Sequence, residues 1–135
     1  MSANNRMVCI VDDESDITLL FHEALKSVPG ITIFTFTDPI LALEHFKTNI
    51  SKYFLVISDL RMPELDGMEL LKKMKDLNSS VRTILMTAFA LDDNDKLFKE
   101  YAKREIINAF LQKPIRLDDL RDEVNNQLHK YELRK

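Results

Sequence analysis

Apolar residues in this chain follow two alternating patterns. Short apolar runs rich in β-branched residues occur at Met7–Val11, Ile31–Phe36, Phe54–Ser58, Arg82–Met86 and Ala109–Gln112. Each has the length of a strand, and most are nearly continuous in apolar character. That predicts strands buried on both faces, as in a parallel sheet. The longer segments between them have helical spacing. In the first, Ile17, Leu20, Phe21, Ala24, Leu25 and Val28 form one predicted inward stripe, which Pro29-Gly30 stops. Asp38-Pro39 predicts an N-cap and first turn, with Leu43, Phe46 and Ile50 inward. A third helix is expected after Gly67, burying Leu70, Leu71, Met74 and Leu77. The last starts near Leu117 and turns Leu120, Val124, Leu128 and Tyr131 to one side. Its acids, Asp118 and Asp119, come early, and His129, Lys130, Arg134 and Lys135 come late, as the helix dipole favours. Asp92–Glu105 carries only a thin stripe (Leu97, Phe98, Tyr101, Ala102) among many charges, predicting a weakly anchored helix. Strand then helix, five times over, predicts an α/β fold: a doubly wound five-stranded parallel sheet flanked by helices on both faces.

Composition narrows the function classes. At 135 residues the chain is expected to be one domain, residues 1–135 with a core of about 7–130 and Ser2–Arg6 as an unstructured lead. Apolar residues make up 45% and charged residues 30%, the balance of a globular protein. A net charge of −3 argues against a broadly basic nucleic-acid surface, so no direct nucleic-acid partner is expected. One cysteine, Cys9, excludes an internal disulfide and a cysteine-based zinc site. No apolar run approaches a membrane span, so no membrane insertion and a cytoplasmic location are expected. The two glycines, Gly30 and Gly67, rule out a glycine-rich phosphate loop.

The chemistry gathers at the strand ends. Asp12 and Asp13 follow the first strand, Asp59 ends the third, Thr87 ends the fourth and Lys113 follows the fifth. In a parallel sheet these positions share the carboxyl edge, where open α/β sheets bind ligands. Singly, each has a plain alternative: a helix cap for Asp12-Asp13, a turn for Asp59, a strand residue for Thr87, a loop for Lys113-Pro114. Jointly, these alternatives require four coincidences at one edge. Three carboxylates held close repel one another, at about 4 kcal/mol per contact for ~4 Å and an effective dielectric near 20. Protonation or a divalent cation relieves that repulsion, and an all-oxygen donor set suits Mg²⁺. A lysine and a hydroxyl beside a carboxylate nucleophile would stabilise a transferring phosphoryl group.

Val11-Asp12-Asp13-Glu14, Asp59-Leu60-Arg61-Met62-Pro63 with Asp66-Gly67, Thr87-Ala88 and Lys113-Pro114 resemble the motifs of response-regulator receiver domains of two-component signalling. The likeness runs from Met7 to about Lys130 and implies the flavodoxin-like receiver fold. It implies that Asp59 accepts a phosphoryl group from a sensor histidine kinase or phosphotransfer protein. By the same resemblance, Asp13 binds Mg²⁺ directly, Asp12 through water, and Asp59 and the Arg61 backbone carbonyl complete the protein ligands. Lys113 would contact the phosphoryl group, and its bond to Pro114 is expected to be cis. Thr87, with Ala88, would act as the switch that moves toward the phosphoryl group, and Phe110 stands where the family has its switch aromatic. Phe110 also reads as a plain core residue. Phosphorylation would then change the surface of the fourth helix, fifth strand and fifth helix for an unnamed downstream protein. The protein would act as a monomer or a phosphorylation-dependent dimer, a signalling domain catalysing only its own phosphorylation and dephosphorylation.

Three positions depart from the family's commoner residues. Arg61 and Phe89 flank the expected approach of a hydrolytic water, which implies slow self-dephosphorylation. Asn108-Ala109 replaces a common Gly-Ala pair and is expected to stiffen the start of the fifth strand. Nothing long follows the last helix, so a stand-alone receiver is expected, with a fragment of a longer regulator as the alternative. A Mg²⁺-dependent phosphohydrolase of similar fold is the rival from another class. It would want an Asp-x-Asp motif on the first strand and a cap insertion, and neither is present. A receiver that binds partners without phosphorylation is disfavoured by the complete acidic, hydroxyl and lysine set.

Overall fold

A computed structural model describes residues 5–88 and 95–134. The order of elements is β1 (Arg6–Val11), α1 (Ser15–Leu25), β2 (Ile31–Phe36), α2 (Pro39–Thr48), β3 (Tyr53–Asp59), α3 (Gly67–Leu77), β4 (Arg82–Thr87), α4 (Lys96–Lys103), β5 (Ala109–Gln112) and α5 (Leu117–Leu133). A single 3-10 turn, Ile50–Lys52, leads into β3. All strand pairs are parallel, in the order β2-β1-β3-β4-β5. The chain leaves β1 outward to β2 and then crosses back to β3. That reversal opens a crevice at the carboxyl ends of β1 and β3, the place where such sheets bind ligands.

Strand alternation divides the core into two layers. On β1, Met7, Cys9 and Val11 face a layer with Phe46, Tyr53, Leu70, Leu71 and Met74. Val8 and Ile10 face the other, with Phe21, Leu25, Ile57, Leu120 and Val124. Every residue of β3 and β4 is buried. β2 and β5, at the sheet edges, have no fully buried residue, because one side of each lacks a neighbouring strand.

The sequence reading needs correction in several places. Arg6 is not part of a loose lead: it opens β1 opposite Ile31, and Asn5 accepts a hydrogen bond from Thr32. β3 and β4 do end at Asp59 and Thr87, as expected, and so deliver both residues on rigid backbone. Leu20 is 47% exposed and Leu77 41% exposed, outside the inward stripes drawn for them. Leu20 instead lines a groove with Ile17, Phe21, Pro114 and Ile115, and Leu77 sits at the rim of another with Leu43. Thr18 takes the inward place on α1, its hydroxyl donating to the Ser15 carbonyl. Ile50 packs against the core from the 3-10 turn and not from α2. The fourth helix is shorter than drawn, covering Lys96–Lys103 with no buried residue. Residues 92–94 of that predicted helix, Phe89 and Ser2 to Asn4 lie outside the described residues.

Helix starts follow local chemistry. Asp38 accepts from the Ile40 amide, and Pro39 takes the first helical position. Asp66 and Asp95 accept from the third amides beyond them and start α3 and α4. Among the described residues no helix is long and apolar enough to cross a membrane.

Candidate functional site

The site is built from backbone that the sheet has already fixed. Asp12 continues β1 by one step, its amide donating to the Phe36 carbonyl. Its Oδ1 accepts from the Glu14 amide at 2.9 Å, which turns the chain into α1. The side chain is therefore held at both ends of the turn and is fully buried. Asp13, next to it, is exposed. Asp59 ends β3, with Met86 of β4 beside it. The next amide, Leu60, donates to the Met86 carbonyl at 2.8 Å and prolongs the β3–β4 pairing past the carboxylate. Lys113 follows β5, its amide donating to the Thr87 carbonyl at 2.8 Å, and its peptide bond to Pro114 is cis.

These elements bring together four of the residues singled out above. One carboxylate oxygen from each of Asp12, Asp13 and Asp59 lies within 4.8 Å of the others. The Lys113 ammonium donates to Asp12 Oδ2 at 2.7 Å and lies 3.3 Å from Asp59 Oδ1. Glu14 Oε1 is 3.9 Å from the same ammonium, a fourth acid that the strand-end argument does not count. Its signal in the sequence was its place directly after the acidic pair. Thr87 is buried at the end of the neighbouring strand, and Ala88 beyond it is exposed. Arg61, two residues past Asp59, is exposed. Phe110 lies apart from the carboxylates: it is half-buried and meets Phe98 of α4 edge-on at 5.4 Å.

Electrostatics distinguish the members. Burial, then the neighbouring charges of Asp12 and Asp13, raise the Asp59 carboxyl above its ordinary value, with Lys113 opposing them. Burial works to lower the Lys113 ammonium, but the hydrogen bond and charge of Asp12 and the charge of Asp59 outweigh it, and the result is raised. The lysine stays charged at neutral pH and acts as the built-in counter-ion of the crevice. The donor set is all oxygen, without sulfur or nitrogen, and one side is open at Asp13. Those are the requirements of Mg²⁺, which keeps several waters in such sites. The residues fit that ion.

Gly67 is a hidden part of the site. A Cβ there would come 2.2 Å from the Asp59 carbonyl oxygen and 2.9 Å from its carbon. The Gly67 amide donates to the Leu60 carbonyl at 2.8 Å, so the start of α3 is drawn against the acceptor strand. Gly67→Ala is expected to cost about 1–3 kcal/mol, the range for overpacking a tight contact, read as a lower urea midpoint with an unchanged slope.

A sequence profile of the response regulator receiver domain matches residues 8–125. This chain belongs to the response regulator receiver domain family. The receiver is 31% identical over 124 residues to sporulation initiation phosphotransferase F of Bacillus subtilis (strain 168), a match covering 92% of this chain and 94% of that protein. It is 32% identical over 113 residues to the DNA-binding transcriptional regulator NtrC of Escherichia coli (strain K12), covering 84% of this chain and 23% of the regulator. Among solved structures, a response regulator receiver domain protein from Clostridium thermocellum superposes with a TM-score of 0.82 at 26% identity, covering 96% of this chain and 99% of that one. The fold is thus the flavodoxin-like receiver fold, and the chain is a phosphoacceptor signalling domain of the two-component class.

Asn108 differs from the glycine expected at its place. Its Oδ1 accepts from the Thr83 amide at 3.0 Å and its own amide donates to the Thr83 carbonyl at 3.0 Å. The side chain therefore ties the start of β5 to β4.

Proposed function

We propose that this receiver takes a phosphoryl group onto an Asp59 carboxylate oxygen from a phosphohistidine of a sensor histidine kinase or phosphotransfer protein. The observation that carries this reading is one juxtaposition: three carboxylates within 4.8 Å of one another, bridged by a single ammonium 2.7 Å from Asp12 and 3.3 Å from Asp59. In the transfer, an Asp59 oxygen bonds to phosphorus as the P–N bond of the donor breaks and the imidazole leaves. Mg²⁺, held by Asp12, Asp13, Asp59 and the Arg61 backbone carbonyl, would supply positive charge for the phosphoryl oxygens. Lys113 moves its attention from the Asp59 carboxylate to a phosphoryl oxygen without leaving Asp12. Asp12, held by the Glu14 amide, keeps that ammonium in place. Raised basicity at Asp59 makes it a better nucleophile once ionised, since nucleophilicity of an oxygen follows its basicity.

Thr87 would donate its hydroxyl to another phosphoryl oxygen, drawing the Thr87-Ala88 backbone inward. Space vacated there admits Phe110, whose partner Phe98 is half-buried on a helix with no buried residue. An element so lightly packed shifts at low cost. The surface of α4, β5 and α5 then differs between the two states, and phosphorylation selects the one its contacts favour. An apolar groove of about 320 Å³, lined by Ile17, Leu20, Phe21, Lys113, Pro114 and others, adjoins the site through Lys113. It would seat the apolar side of the phosphodonor. Arg61, exposed two residues past the acceptor, would slow the attack of water on the acyl phosphate.

Incubation with acetyl phosphate and Mg²⁺, followed by intact mass, tests the reading. One phosphoryl group per chain is expected, mapped to the peptide holding Asp59 and lost when EDTA replaces Mg²⁺. No adduct, or an adduct on another peptide, would overturn it.

A further inference from the structure

We propose that the opposite, amino-terminal edge of the sheet carries a second anion site, built around Arg82 and suited to a small phosphate-type oxyanion. Arg82 opens β4 and is only 5% exposed. Charged groups at that depth are ordinarily neutralised by a contacting partner of opposite sign. Here the partner is neutral: Arg82 Nε donates to Gln127 Oε1 at 2.8 Å. Gln127 passes its own amide to Glu123 Oε2 at 2.7 Å, so the carboxylate sits one residue removed from the guanidinium. Among the described residues no carboxylate lies within 4 Å of Arg82. No buried side-chain nitrogen among them lacks a partner, so the remaining guanidinium N–H groups open to solvent.

They open into two adjoining cavities. One, of about 240 Å³, is lined by Ser79, Ser80, Arg82, Tyr131 and Arg134. The other, of about 310 Å³, shares Arg82 and Arg134 and adds Asn108, Lys130 and the carboxylate of Glu105. One volume lies below and the other at the lower end of the roughly 300–1,000 Å³ of small-molecule sites, a size for a small anion rather than a large ligand. The local field is positive. Lys75, Arg82, Lys130 and Arg134 stand against Glu105 and Glu123, and Glu105 is already engaged by Arg134 at 3.2 Å. Burial chiefly, then the charges of Arg82 and Arg134 against that of Glu105, lower the Lys75 ammonium to about 8.

The donor set favours a phosphate over a carboxylate. The terminal N–H groups of Arg82, the Arg134 N–H groups not engaged by Glu105 and two serine hydroxyls can address more oxygens than a carboxylate possesses, and an Arg fork matches the O–P–O edge. This edge is separate from the acidic crevice, so the inference stands independently of phosphotransfer at Asp59.

The test is titration of the full chain with inorganic phosphate in EDTA, followed by amide NMR shifts. Saturable shifts are expected at Ser79, Ser80, Arg82, Asn108 and Arg134, and not at Asp12 or Asp59. Arg134→Ala and Ser80→Asp, both at exposed positions that leave the fold intact, are each expected to weaken binding fivefold or more. Arg82→Lys, which keeps the charge and loses the fork, is expected to weaken it about tenfold. Ribose 5-phosphate in a parallel titration separates the sources: tighter binding than inorganic phosphate marks an organic monoester as the occupant, and weaker binding marks free phosphate. Absence of saturable shifts, equal affinity in Arg134→Ala and Ser80→Asp, or glutamate binding as tightly as phosphate would overturn the proposal.

Discussion

Asp59→Asn is expected to abolish phosphoryl uptake from acetyl phosphate and, without Mg²⁺, to make the folded chain more stable. The first effect follows from chemistry, because an amide oxygen is too weak a nucleophile to form the acyl phosphate. The second follows from the site's electrostatics. Burial and the charges of Asp12 and Asp13 raise the Asp59 carboxyl above its ordinary 3.8, so folding favours its protonated form. The sign is therefore opposite to that of a salt-bridged acid. Its stabilising contribution is fully present below about pH 3.8 and is lost as pH rises through the folded-state value. At neutral pH the wild type carries the full repulsion, and the asparagine variant does not. A gain of about 0.5–2 kcal/mol is expected, the range of single stabilising changes. Urea titrations of both proteins at several pH values in EDTA check it. The two curves should converge toward acid and separate toward neutrality. Added Mg²⁺ should narrow or reverse the gap, since a ligand bound only by the folded state stabilises it by mass action. A variant less stable than wild type at every pH would contradict this account of the crevice.

Lys113→Met is expected to lower stability strongly and to slow transfer. The ammonium is the contacting partner of a fully buried carboxylate, with Asp12 0% and Lys113 15% exposed at the side chain. Removing one member of a buried pair costs about 3–5 kcal/mol. The residual exposure of the lysine places this case toward the lower end. At roughly 3–5 °C per kcal/mol for a chain of this size, Tm should fall by about 10 °C. Mg²⁺ should restore more stability to this variant than to wild type, because it becomes the only cation in the cluster. Phosphoryl uptake should fall even when Mg²⁺ saturates the site, because the ammonium assigned to one phosphoryl oxygen is gone. Calorimetry with and without Mg²⁺, with intact-mass time courses, measures both. Full transfer activity in the methionine variant would remove Lys113 from the mechanism.

Much of the fold was legible because its signals are local. Strand runs and helix stripes report burial through alternation and 3.6-residue spacing, and Asp38-Pro39 reports a helix start through its own geometry. What failed did so where neighbours decide. Leu20 and Leu77 have the right spacing to be buried, yet among the described residues no element covers them fully, and both face grooves. β2 groups with the central strands by its apolar run, and edge position leaves it half-covered. Arg82 begins an apolar run, and only the arrival of α5 shows that its partner is Gln127, 45 residues later in the chain. Gln127 had no signal at all, since a glutamine on a helix is ordinarily solvated.

By itself the sequence determined the chemical inventory and its direction: acids, a hydroxyl and a lysine at the ends of parallel strands, necessarily at one edge. It also determined the absence of a glycine-rich cradle, which left the charge of bound phosphate to side chains and a metal. Tertiary structure decided which of these groups touch. The β2-β1-β3 order places the ends of β1 and β3 side by side, so that Asp12 and Asp59 share one ammonium. It also decided why α3 begins with glycine, because a Cβ there would lie 2.2 Å from the Asp59 carbonyl oxygen, a clash that no local rule records. The physical reason is common to both. Periodicity encodes what each residue prefers, whereas distances across a sheet depend on strand order and register, which are set by all the elements together.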